Sequence, residues 1–153
     1  MRRLLATVAV LAFALPAAAL AAVRGPSDGT LSLRDGRGTF SIRATGGIIG
    51  SFAKGRVTVT DPDPSDGTGP IVTGDDWHKE RNDTTTVYGG TKVRFRLIGG
   101  SFRIRVVGTG VNLSVVGKGS VNLAGAGTAD DGTYSVDGGD YTAVPDFVTF
   151  FLP

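Results

Sequence analysis

An all-β fold is what this sequence predicts: an antiparallel β-sandwich or closed β-barrel built from two repeated four-stranded meanders. Three observations predict it. Thirteen Asp stand against one Glu, with no Gln and four Lys; Glu, Gln and Lys fill helix surfaces, whereas Asp fills turns. Twenty-four Gly are spread through the 153 residues, a density that suits turns and penalises helix interiors. Between the glycines, apolar and polar residues alternate at period two, the pattern of half-buried strands. A helical bundle is excluded, and so is an α/β fold that needs several amphipathic helices.

The first segment reads as an address. Arg2 and Arg3 precede an apolar run from Leu4 to Leu15 broken only by Thr7, and Ala19 and Ala21 hold the small-residue positions of a cleavage site. The cut is expected after Ala21, giving a signal peptide over 1–21 and one domain over 22–153. The apolar run is shorter than the ~20 residues of a spanning helix, so no membrane span is expected after cleavage. The localisation this implies is secreted or cell surface. Cleavage removes two of the 16 basic residues and leaves 14 against 14 acidic ones. Such a balance has no global field to draw in nucleic acid. The absence of Cys excludes disulfides, thiolate metal sites and a Cys nucleophile.

Residues 31–46 align with 93–108 at an offset of 62, with Arg34/Arg96, Gly38/Gly100, Phe40/Phe102, Ile42/Ile104, Arg43/Arg105 and Gly46/Gly108 identical. The repeats run over about 30–73 and 92–138, with an inserted loop over about 74–84. In the first copy strands are predicted at 30–34, 39–44, 48–53 and 56–60. Their inward residues are Leu31, Leu33, Phe40, Ile42, Ile48, Phe52, Val57 and Val59. In the second copy Val93, Phe95 and Leu97 alternate with Arg94 and Arg96, and Phe102, Ile104 and Val106 with Arg103 and Arg105. Gly99-Gly100 suits a two-residue hairpin loop that pairs Leu97 with Phe102. Turns at Gly108-Thr109 and Gly117-Lys118-Gly119 continue the meander, each keeping the apolar side chains on one face. Further strands are predicted near 84–88 and 132–136, and Phe147–Leu152 closes or covers an edge.

Three groups of residues carry candidate chemistry. In the meander register Arg96 opposes Arg103 and Arg94 opposes Arg105, forming a basic sheet face. Guanidinium forks match phosphate, sulfate or carboxylate groups, so the partner this face implies is an anionic polysaccharide or cell-wall polymer. Asp61, Asp63 and Asp66 lie on a Pro- and Gly-containing loop of the kind that takes Ca²⁺, although their spacing departs from the EF-hand pattern. This makes a calcium-stabilised surface adhesin one alternative function. The other is an extracellular hydrolase with His78 as base, oriented by Asp75 or Asp76. No nucleophile elbow or paired-His metal spacing accompanies that histidine. Trp77, its neighbour, offers a ring on which a sugar can stack. The residues therefore favour a secreted, non-enzymatic structural or binding module over an enzyme.

Overall fold

The computed structural model describes residues 27–153, and the predicted signal peptide lies outside them. There is no helix among the described residues, and so none long and apolar enough to cross a membrane. The strands are β1 (Gly29–Thr60), β2 (Ile71–Thr73), β3 (Trp77–Asn82), β4 (Thr85–Gly125), β5 (Thr133–Val136), β6 (Thr142–Ala143) and β7 (Val148–Leu152). They form one open antiparallel sheet in the order β2-β4-β1-β5-β6, with β3 and β7 also paired to β4. The sheet does not close, which corrects the expectation of a closed barrel.

Two strands dominate. β1 has 32 residues and β4 has 41, and they pair with each other in two registers at once. Ile42 lies between Ile104 and Val121, Ile48 between Leu97 and Val115, and Val57 between Tyr88 and Val106. A strand can have the same partner on both sides only if the pair curls back on itself, so that successive turns of the ribbon hydrogen-bond to one another. Glycines face each other where the ribbon turns: Gly46 meets Gly100 and Gly117, and Gly38 meets Gly108 and Gly125. Gly46 and Gly117 have φ of +140° and +147°, a region that side-chain-bearing residues avoid. The backbones are also close there, since a Cβ on Gly117 would stand 2.1 Å from the Thr45 carbonyl oxygen.

This geometry replaces the two predicted meanders. Gly99-Gly100 does not reverse the chain; Leu97 pairs with Ile48, and Phe102 pairs with Ala44. Gly47 faces Ile98 while Gly46 faces Gly100, which leaves Gly99 (φ +88°) as the extra residue of a β-bulge. One extra residue in a continuous strand inverts the facing of the residues beyond it, as a two-residue hairpin does. Leu97 and Phe102 are therefore both buried even though they are not partners. The predicted turns at Gly108-Thr109 and Gly117-Lys118-Gly119 likewise fall inside β4.

The inward residues are those the alternation marks. All eight named in the first copy are buried, as are Val93, Phe95, Ile104, Val106, Leu113 and Val121 of the second. They form one core cluster whose largest fully buried side chains are Phe40, Phe52 and Phe102. The segment over 74–84 is more than a loop: it carries β3, paired along residues 85–89 of β4. β7 covers β4 from Gly119 to Leu123, and the Gly29 amide donates to the Pro153 carbonyl at 3.0 Å.

The turn after β4 is fixed by a carboxylate. Asp131 is 5% exposed and accepts hydrogen bonds from the Thr128 hydroxyl and from the amides of Gly127 and Thr128. Its own carbonyl takes the Arg37 amide, tying the turn to β1. The Thr128 hydroxyl first, and the turn amides after it, hold this carboxyl below its ordinary value, while burial works the other way. A folded-state pKa below the unfolded value means stabilisation present at neutral pH. It begins to be lost as pH falls towards 3.8 and is gone below the folded-state pKa. Asp131→Asn should therefore lower the Tm at pH 7 and flatten its decline below pH 4, as scanning calorimetry across pH would show. An unchanged acid limb would place the acid sensitivity elsewhere.

Candidate functional site

Because the chain runs on through Gly99-Gly100, the four predicted arginines do not form one patch. Arg96 lies between Ile49 and Ile71, and Arg94 between Ser51 and Thr73. Arg103 lies between Arg43 and Thr60, and Arg105 between Ser41 and Thr58. The predicted oppositions of Arg96 with Arg103 and of Arg94 with Arg105 are thus not formed. Residues paired across strands share a face, so each arginine points outward among these neighbours. Among the described residues no carboxylate pairs with Arg43, Arg94, Arg96, Arg103 or Arg105; the ion pair that does form is His78–Asp75.

Arg94 and Arg96 line a groove of about 480 Å³ on the outer sheet surface. β1 contributes Ser32, Arg34, Ile49 and Ser51, β2 contributes Ile71 and Thr73, and β4 contributes Asn112 and Ser114. Ile49 and Ile71, 45% and 52% exposed, are the cross-strand neighbours of Arg96 on either side and supply apolar surface there. At the far side Arg34 lies 4.0 Å over the Tyr141 ring, whose hydroxyl meets the Ser32 hydroxyl at 2.7 Å. A guanidinium held over an aromatic face can still donate from its edge to a ligand. The groove thus combines three cations, several hydroxyls and two aliphatic walls, all on strands.

Arg103 belongs to a second groove of about 750 Å³, with Arg43, Lys118, Thr60, Ser101, Ser120 and Phe151. Arg105 is not among its lining residues. Here Arg43 and Arg103 are direct cross-strand partners, a like-charge opposition that is destabilising on its own.

His78 and Trp77 lie on β3, which is exposed along its whole length. His78 Nδ1 is 3.3 Å from Asp75 Oδ2, and its ring centroid is 5.9 Å from that of Tyr88. The imidazole thus has an orienting carboxylate, and among the described residues no hydroxyl is hydrogen-bonded to it. Trp77 pairs with Gly89, and its ring covers that residue: a Cβ there would stand 2.2 Å from Trp77 Cζ2. Trp77 also lines a smaller groove, together with Lys54 and Arg56.

The Asp loop is built from its own turns. Asp61 Oδ1 accepts the Asp63 amide, Asp63 takes the Ser65 hydroxyl, and Asp66 takes the amide and hydroxyl of Thr68. The Thr68 hydroxyl, together with its amide, holds the Asp66 carboxyl below its usual value. Asp61 Oδ2 is buried without a hydrogen-bond partner, one orphan oxygen where calcium takes six to eight. Among the described residues no group of three or more His, Cys, Asp or Glu is placed to hold a metal ion.

Arg34, Arg43, Lys118, Tyr141 and Phe151 were not singled out from the sequence as site residues. For Arg34 and Arg43 a signal was present, since they are the aligned counterparts of Arg96 and Arg105. Tyr141 and Phe151 reach their places by pairing of distant segments and carry no comparable signal. No protein-family model matches the chain, and no curated protein and no solved structure matches it.

Proposed function

We propose that this protein is a secreted or cell-surface binding module without enzymatic activity, and that it holds an anionic polysaccharide or cell-wall polymer against its sheet. The observation that carries the proposal is the set of outward guanidinium groups, led by Arg94 and Arg96, with no carboxylate partner among the described residues. Unpaired arginines beside hydroxyls and aliphatic side chains match a polymer with charged groups and sugar rings. A site held by strands keeps its geometry better than one on loops.

The rest of the architecture supports such a role. We read the wound ribbon as a flattened sandwich, its core between two walls and its arginines on the outside of both. We also read it as a duplication, because Ile42 pairs with Ile104, its counterpart 62 residues on. The leader over 1–21 supplies the export that an extracellular ligand requires.

The test is binding of the mature chain to heparin, polygalacturonate and neutral dextran across a salt series. Affinity for one of the charged polymers should fall steeply as salt rises, with none for dextran. Arg96→Ser should weaken that affinity about tenfold, the size of one charge-assisted hydrogen bond, and leave the Tm unchanged. Salt-independent binding, or equal affinity of the variant, would remove the proposal.

A further inference from the structure

The second groove poses an electrostatic question of its own. Arg43 on β1 and Arg103 on β4 are direct cross-strand partners, and Lys118, paired with Thr45 two residues along β1, lines the same groove. Among the described residues no carboxylate forms an ion pair with any of the three charges; Asp61, Asp63 and Asp66 border the adjoining groove, which shares Thr45, Pro62 and Ser101 with this one. In the first groove Arg94 and Arg96 have neutral cross-strand partners throughout. A sheet gains nothing internally from opposing two guanidinium groups; an oxyanion between them turns the repulsion into two charge-assisted contacts. Tetrahedral oxyanions suit this arrangement, because they present several oxygens to two forks and an ammonium at once.

The groove also says what accompanies the anion. Phe151, on β7, is 77% exposed and lines it, so an apolar ring face stands beside the cations. A bare inorganic ion leaves that ring in water, whereas a sugar ring carrying the anion covers it. The hydroxyls of Thr60 and Ser101 border the groove, held by Thr85 at 3.0 Å and Thr45 at 2.6 Å. Each retains capacity for one further hydrogen bond to a sugar hydroxyl.

We infer that the groove of Arg43, Arg103, Lys118 and Phe151 is a second binding site, for a phosphate or sulfate ester of a sugar. The anion sits between the two guanidinium groups and the sugar ring lies on Phe151. The site does not depend on the polymer groove of Arg94 and Arg96, and it takes a single ester group rather than a chain.

The experiment is calorimetric titration of the mature chain at low salt with glucose 6-phosphate, glucose 6-sulfate, inorganic phosphate and glucose. Saturable binding of at least one ester is expected, about tenfold tighter than inorganic phosphate, with none for glucose. Arg43→Ser should weaken ester binding at least tenfold, and Phe151→Ser should bring the ester down to the affinity of inorganic phosphate. Arg96→Ser, which tests the polymer groove, should leave ester binding intact. Without ligand, Arg43→Ser should melt at the same or a higher temperature, because a like-charge opposition is gone. Should Arg43→Ser not fold, Arg43→Lys keeps the charge, removes the fork and should still lose several-fold. No saturable ester binding, inorganic phosphate binding as tightly as the esters, or equal loss in Arg96→Ser and Arg43→Ser would overturn the inference.

Discussion

Phe40→Ala is expected to destabilise the domain by about 3–5 kcal/mol, the range for emptying a fully buried aromatic site. Phe40 is completely buried and pairs with Val106 on one side and Leu123 on the other, so its ring sits where two turns of the ribbon meet the core. Those neighbours are held by their own hydrogen-bonded rungs and cannot collapse into the space. Since single domains are stable by roughly 5–15 kcal/mol, this one change removes a large part of the total. Urea denaturation at pH 7 measures it directly. A loss below about 1 kcal/mol would show that the ribbon does not close tightly around this side chain.

Gly117→Ala should have an effect of similar size by another route. Its Cβ would meet the Thr45 carbonyl oxygen at 2.1 Å and the Gly46 Cα at 3.1 Å, both backbone atoms that cannot rotate away. The residue would also have to hold φ near +147°. Conformational strain of this kind is worth about 1–3 kcal/mol, and separating two paired strands adds to it. We expect a loss above about 3 kcal/mol, or failure to fold. Gly67→Ala is the internal comparison, with φ of +77° but nothing within 4 Å of the new methyl. It should lose only about 1–2 kcal/mol. Similar losses in the two variants, measured by the same denaturation, would mean that the close approach at Gly117 is not a constraint.

How legible the molecule was in its sequence depends on which property is asked for. Inside and outside were legible because period-two alternation records facing and nothing else. Leu97 and Phe102 were correctly placed in the core for that reason. Pairing was not legible at the same residues, because a bulge at Gly99 and a hairpin at Gly99-Gly100 leave the same trace in the apolar pattern. The error carried into the site. A hairpin would have brought Arg96 and Arg103 together, whereas the continuous strand sends them to different grooves. Arg43 was visible only as a repeat counterpart of Arg105, and its opposition to Arg103 required the register. The Asp turns were legible as turns, but whether their oxygens converge is a matter of three-dimensional placement that spacing alone does not carry.

The facing glycines also set a unit of length for the whole molecule. Gly38 and Gly55, 17 residues apart, both face Gly108, and Gly108 and Gly125, again 17 apart, both face Gly38. An insertion of arbitrary size in β1 would slide one winding past the next, take the glycines out of line and put side chains against carbonyl oxygens. The step in β4 is 18 where the winding spans the Gly99 bulge, as for Gly90 and Gly108 on Gly55, so an insertion of 17 residues in β1 matched in β4 by 17, or by 18 with such a bulge, would instead add a complete winding. The fold can therefore lengthen or shorten only in whole windings, as a screw thread does, and any relative built on the same plan should differ from it in strand length by that step.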